Sequence, residues 1–315
     1  MPAVVGGVMN PLLAVGILSA ALCAPAIAQT PCDRACLENH IDRYLDALVA
    51  HSPAALPLAD DVKFTENGQE LPIGSALWGT ASKNSDYRLY ATDPLSGQAG
   101  FLGLLEEHDE PVVLGLRLRV LEGEIAEIEH IVARLAAGGL GNADNWLAPE
   151  PLLTAALAPD ARVPRERMIA IANSYFSGLD ELNSGGFVPF HDDCRRLENG
   201  VETANASDPD AAGMRALGCA EQFDLGFSKF ITDIRERRFP IVDVERGLVF
   251  AIAFFDHAGN VATVDLTNGE TLTVPADFRR PRTWMVGGVF KIESGLIRRI
   301  EAVLVDVPYR MPSGW

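Results

Sequence analysis

No charged residue precedes Asp33, and the signatures of the common cofactor enzymes are missing from the chain. There is no Walker phosphate loop, no Gly-rich strand-to-helix turn of dinucleotide type, no Gly-x-Ser-x-Gly elbow and no His-Glu-x-x-His. Their absence disfavours a cofactor enzyme, and no cofactor is expected. Basic residues are the minority, with 26 Lys and Arg against 43 Asp and Glu and a net charge of −17. That balance repels phosphate backbones and anionic lipid, so neither nucleic acid nor a membrane surface is an expected partner. Cysteine is scarce, at five residues, and no histidine pair stands near the cysteine pairs at ligand spacing, so no metal is expected.

The uncharged start has its own meaning. Residues 11–28 (PLLAVGILSAALCAPAIA) are apolar and end on Ala26-Ile27-Ala28, the profile of a signal peptide cleaved before Gln29. The run is short for a bilayer span, and Leu22 is too large for lipoprotein processing at Cys23. An exported protein, periplasmic or secreted, is therefore expected, off the membrane once residues 1–28 are removed. Four cysteines remain in an oxidising compartment. Of their three pairings, Cys32 with Cys36 and Cys194 with Cys219 is expected, because it keeps each bridge inside one half of the chain.

The halves are copies. PLADDVKFTENGQE (Pro57 to Glu70) and PFHDDCRRLENGVE (Pro189 to Glu202) align without a gap. Ahead of them, Leu37, Ile41, Tyr44 and Leu48, and again Met168, Ile171, Tyr175 and Leu179, mark one buried helix face each. Behind them, GLRLRVLEGEIAEIEHIVARL (Gly115 to Leu135) and GVFKIESGLIRRIEAVLVDV (Gly288 to Val307) read as strand, Gly-centred turn and strand. Each half is thus a helical start followed by a curled antiparallel sheet, an α+β arrangement. The expected division is 29–136 and 163–315, with the Gly- and Pro-rich stretch 137–162 as linker. The Glu-Asn-Gly shared by both copies reads as a turn, with a catalytic Glu66 or Glu198 as the sharper alternative.

Helix with tyrosine, short acidic strand and a long sheet closing on Gly-x-Ile-x-x-Ile-Glu resembles the nuclear-transport-factor-2-like superfamily, which includes SnoaL-like polyketide cyclases and ketosteroid isomerases. The opening CDRACLENHIDRYLDALVAHSPAALPLADDVKFTENGQELPIGSALWGT more narrowly resembles exported bacterial and fungal proteins that carry two such domains in tandem. The resemblance implies two cone-shaped domains, each with N-terminal helices packed on a curved antiparallel sheet around an apolar pocket. It implies no single reaction, since the superfamily hosts isomerases, cyclases, dehydratases, lyases and binding proteins.

Candidate residues follow from the alignment of the copies. Ile128, His130 and Val132 share a strand face that the second copy fills with Ile300, Ala302 and Leu304, so His130 is expected on the pocket wall. Packing is its bland role; proton transfer is the sharper one. Tyr44 should point into the same cavity, with Trp78, Tyr87, Tyr90, Ile128 and Val132 as walls, and Arg88 sharing the strand face of Tyr90. In the second copy Tyr175, His191, His257 and Trp284 are available, with His257 expected exposed in a hairpin turn.

The expected activity is a cofactor-independent lyase or isomerase on a small apolar, aromatic molecule. His130 would take a proton, Tyr44 or Tyr90 would donate to an oxyanion, and Arg88 would hold a phenolate or carboxylate. Among activities of the resembled superfamily, formaldehyde-releasing lyases on lignin-derived aromatic dimers fit such a pocket. The alternative is a non-catalytic exported protein for ligand binding or dimerisation, with homo-oligomerisation left open. The two sheets are expected to pack on each other, Glu129 and Glu301 lying between them near Arg117 or Arg298.

Overall fold

The computed structural model describes residues 1–4, 6–7, 32–135, 141–182 and 184–315. The chain divides into Met1–Thr30 and Pro31–Trp315, and the second part holds every described helix and strand. Most of the expected signal peptide lies outside the described residues. No described helix is long and apolar enough to cross a membrane, which leaves β-barrels unaddressed.

In the first copy, α1 (Arg34–Val49) begins where the Asp33 carboxylate accepts the Cys36 N–H at 3.0 Å, and it buries Leu37, Ile41, Tyr44, Leu45 and Leu48. Each fully buried side chain of that size contributes about 1.5–3 kcal/mol. Then follow β1 (Leu58–Glu66), β2 (Gln69–Glu70), the single-turn α2 (Leu77–Thr80), β3 (Ala81–Asp93), β4 (Gln98–Glu107), β5 (Glu110–Leu121) and β6 (Glu124–Arg134). They form one six-stranded sheet in the order β2-β1-β6-β5-β4-β3.

After α3 (Pro151–Thr154) the second copy repeats the plan. Its elements are α4 (Arg165–Ser177), β7 (Phe190–Glu198), β8 (Val201–Ala204), α5 (Cys219–Asp224), β9 (Asp233–Asp243) and β10 (Leu248–His257). A small hairpin intervenes, β11 (Thr263–Asp265) with β12 (Thr271–Thr273), before β13 (Arg282–Glu293) and β14 (Leu296–Val307). The sheet order β8-β7-β14-β13-β10-β9 matches the first. Cys32–Cys36 and Cys194–Cys219 are bridged.

One expectation needs correction. The sheets are not wholly antiparallel: β1 runs parallel to β6, and β7 parallel to β14. In each copy the first strand lies beside the last, joined to it only through the whole meander, and local apolar alternation carries no information about direction. The stretch 137–162 is also more than a tether, because Trp146, Leu153 and Leu157 are buried.

The two sheets pack on each other through a third apolar cluster, with Leu89, Leu102 and Ile131 from the first copy and Ile241, Phe250 and Val303 from the second. The contact is reciprocal. A Cβ on Gly115 of β5 would stand 2.7 Å from Val303 Cγ1, and one on Gly287 of β13 would stand 2.7 Å from Ile131 Cδ1. Val303 pairs with Gly287 and Ile131 with Gly115, so each copy offers the same hole and the same knob. The polar contacts follow suit. Arg34 opens α1 and grips Asp243 at 2.7 Å, while Arg165 opens α4 and grips Asp93 at 2.5 Å. Self-complementary contact of this kind marks a two-fold interface, here made within one chain.

Glu129 and Glu301 do lie on the packed side, both buried. Glu129 takes Arg117 at 2.8 Å and Arg238, from the other copy, at 2.5 Å. Glu301 takes Arg299 at 3.0 Å and the Tyr87 hydroxyl, again across the interface. Arg298 is not its partner but turns to His191 at 3.2 Å and Glu293 at 3.7 Å. Residues one apart on a strand face opposite sides, which puts Arg299 and Glu301 together and Arg298 away.

Candidate functional site

The repeated Glu-Asn-Gly has a shared structural job. Asn67 and Asn199 have φ of +50° and +46°, and the glycines after them have φ of +79° and +80°. Such a pair makes the tight turn between β1 and β2 and between β7 and β8, and asparagine and glycine are the residues that tolerate it. Each asparagine also reaches sideways. Asn67 Nδ2 donates to the Val132 carbonyl at 3.2 Å and its Oδ1 accepts the Val132 N–H at 2.8 Å. Asn199 does the same at Leu304, at 2.9 Å both ways. The carboxamide thus imitates one further residue of the parallel ladder after the strand itself has turned away.

The glutamate before Asn67 belongs to a buried polar chain inside the first copy. Trp78 N–H donates to the Tyr44 oxygen at 2.9 Å, and that hydroxyl lies 2.8 Å from His130 Nε2. With the Tyr44 oxygen already accepting, its hydrogen is directed at Nε2, which leaves the ring proton on Nδ1, 3.4 Å from Glu66 Oε2. The same Glu66 oxygen accepts the Leu77 N–H at 3.0 Å, at the start of α2. His130 and Tyr44 are fully buried, and Trp78 and Glu66 nearly so. Burial holds the Tyr44 hydroxyl well above its usual range.

The second copy solves the same problem differently. Tyr175, the counterpart of Tyr44, meets Arg196 NH1 at 3.3 Å, and burial pushes its hydroxyl up to about 12. Arg196 occupies the β7 position that Phe64 holds in β1, while Ala302 stands where His130 does. Each copy therefore sets one nitrogen base or cation against a buried helix tyrosine, from different strands. Satisfying that hydroxyl is a sufficient reason for His130 to be there.

The other expected residues separate. Ile128 and Val132 pack in the first core together with Tyr44 and Trp78. Arg88 and Tyr90 gather on Asp42 of α1, at 3.2 and 2.6 Å, rather than on His130. Tyr87 faces the other way, into the interface, with its ring 4.7 Å from that of Trp146. His257 is a correction: it is not an exposed turn residue but the fully buried end of β10. Its ring lies 4.7 Å from Trp284 and among Phe230 and Phe278, and burial, aided by Arg282, brings its pKa down to about 4. Nδ1 bonds the Phe255 carbonyl at 3.1 Å, and Nε2 is buried without a partner among the described residues.

The principal clefts among the described residues are not lined by His130, Tyr44 or Trp78. One of about 600 Å³ runs along the junction of the copies and is lined by both turn asparagines together with Arg134, Arg282, Phe278 and Trp284. Arg282 stacks over Phe278 at 5.0 Å and over Trp284 at 4.9 Å, and its Nε has no partner among the described residues. Arg282 meets Asp306 at 3.1 Å, and Arg280, which also lines the cleft, lies 3.7 Å from Asp277. Arg134 is held by Glu107 at 2.5 Å, so each of the three guanidiniums along the cleft has a carboxylate partner. The sequence signal was present in Phe278 to Trp284, FRRPRTW, but nothing local said that these residues meet the turns of both copies.

A family model described as a domain of unknown function (DUF8021) matches residues 161–304, within the second copy. No curated protein matches. Among solved structures, a candidate ketosteroid isomerase from Kribbella flavida DSM 17836 is 14% identical, with 36% of this chain and 88% of that one covered and a TM-score of 0.26. A de novo designed protein with a curved β-sheet is likewise 14% identical, covering 45% of this chain and 88% of its own, at a TM-score of 0.26. At such scores neither likeness bears on what the chain does.

Proposed function

We propose that the chain is an exported small-molecule-binding protein, a tandem of nuclear-transport-factor-2-like domains whose ligand lies in the groove between the copies. The groove itself carries the reading: Trp284 and Phe278 meet edge to face at 5.2 Å beneath the Arg282 guanidinium, with Arg280 on the same wall. A flat ring bearing one carboxylate or phenolate matches it, the ring against Trp284 and Phe278 and the anion against Arg282 and Arg280. Titration calorimetry with 4-hydroxybenzoate, and with cyclohexanecarboxylate and benzyl alcohol as controls, tests this. Binding of the aromatic anion in preference to both controls supports it; equal response to all three, or none to any, refutes it.

A second reading rests on the Glu66, His130 and Tyr44 chain. Carboxylate, imidazole and phenol in sequence are a proton relay, and α2 covers it, with Ala76 ahead of α2 in an unfavourable left-handed conformation of φ +56°. If α2 opens, this is a site for cofactor-free isomerase or lyase chemistry on an apolar aromatic molecule, with His130 as base and Tyr44 as donor. Turnover of such a molecule that His130→Gln abolishes in a folded chain would favour it over binding alone.

A further inference from the structure

Cys36 and His40 stand one turn apart on α1, on one side of the helix, and the bridge to Cys36 brings Cys32, just ahead of the helix, beside them. Their two sulfurs and one imidazole nitrogen lie within 4.8 Å of one another. His40 is 7% exposed, and its Nδ1 is buried with no hydrogen-bond partner among the described residues. A buried imidazole nitrogen left unpaired is costly unless something occupies it. Oxidised, the sulfurs are bonded to each other and offer no thiolate.

We propose that reduction of this bridge creates a copper(I) site formed by Cys32, Cys36 and His40. A dithiol supplies two electrons and two protons to the S–S bond, leaving two thiols here and a disulfide on the reductant. Copper(I) then displaces the two thiol protons and takes two thiolates and one neutral imidazole. Soft sulfur ligands select copper(I) or zinc, and the choice falls on copper(I) because no fourth His, Cys, Asp or Glu joins the group among the described residues. The neighbouring structure allows the change. Cys32 precedes the helix, both cysteines are half-buried, and Cys32 packs at the edge of the core that holds Leu37, Ile41 and Tyr44. A bridge spanning four residues also constrains the unfolded chain less than Cys194–Cys219, which spans 25. The site is thus closed when oxidised and open when reduced.

The test uses the full chain carrying Cys23→Ser, reduced by a dithiol without oxygen and titrated with copper(I) as its acetonitrile complex against a chromophoric chelator. One copper per chain is expected, none in the oxidised chain, loss in Cys36→Ser, and affinity lower by more than about tenfold in His40→Gln. Persistence of binding in Cys36→Ser would place the metal at the other cysteine pair and overturn the proposal. So would equal binding by the oxidised chain, or zinc binding where copper(I) does not bind. X-ray absorption on the unsubstituted reduced site needs no folded variant: two sulfurs with one nitrogen support the site, and a shell of sulfur alone refutes it.

Discussion

Replacing Asn199 by alanine removes both hydrogen bonds to the Leu304 backbone, each 2.9 Å long, while the Asn199 N–H keeps its bond to the Ala302 carbonyl. Two such bonds contribute about 1 kcal/mol each, and the loss grows where the stranded groups stay away from water. Leu304 is 7% exposed, so little water can replace them. Alanine must further hold the φ of +46°, at about 1–2 kcal/mol more than a residue suited to it. The expected cost of Asn199→Ala is therefore about 3–4 kcal/mol. Asn199→Gly, free of the backbone penalty, should recover about 1 kcal/mol of it. Asn67 is only half-buried and one of its bonds is longer, at 3.2 Å, so Asn67→Ala should cost about 2 kcal/mol. Urea unfolding followed by tryptophan fluorescence and circular dichroism measures all three. The reasoning fails if Asn199→Ala costs under about 1 kcal/mol, or if Asn67→Ala proves the more damaging.

Gly115→Ala and Gly287→Ala would each drive a methyl group to 2.7 Å from a side chain of the opposite sheet, so each should cost about 1–3 kcal/mol, and by similar amounts, in the same urea assay. For His257 the folded pKa of about 4 lies below the unfolded value of about 6.5. The unfolded chain therefore takes up the proton first as pH falls. Its contribution is complete above about pH 6.5, is lost by about pH 4, and amounts to about 3 kcal/mol; His257→Gln should flatten stability against pH in that window. Serine at Cys194 and Cys219 together opens a loop of sequence separation 25 and should lower stability by about 3 kcal/mol in non-reducing conditions.

Much of the architecture could be read from the repeat, because periodicity belongs to a face and a face to a core. The tyrosines at 44 and 175, the strand faces around 128–132 and 300–304, and the cysteine pairing within each half follow from local pattern alone. What the pattern does not hold is long-range direction and partner. The parallel placement of β1 beside β6 depends on which strand the chain returns to. Arg34 with Asp243, and Arg196 beneath Tyr175, join residues whose spacing has no period. The Asp-His-Ala-Gly-Asn around His257 suggests a turn, yet the strand runs on through it under the cover of Phe230, Phe278 and Trp284. The groove escaped for the same reason, being assembled from the turns of both copies and a segment between β12 and β13.

Whether the ligand lies between the copies or inside the first one is decided by a single comparison. Calorimetric titration of 4-hydroxybenzoate into the unaltered chain, Arg282→Gln and His130→Gln separates the two, because Arg282 lines the groove and His130 is buried in the first core. Arg282→Gln is expected to weaken binding by about 1.5–3 kcal/mol, the range for a charge-assisted hydrogen bond, and His130→Gln to leave it unchanged. Binding that survives Arg282→Gln but disappears in a folded His130→Gln chain would contradict that expectation.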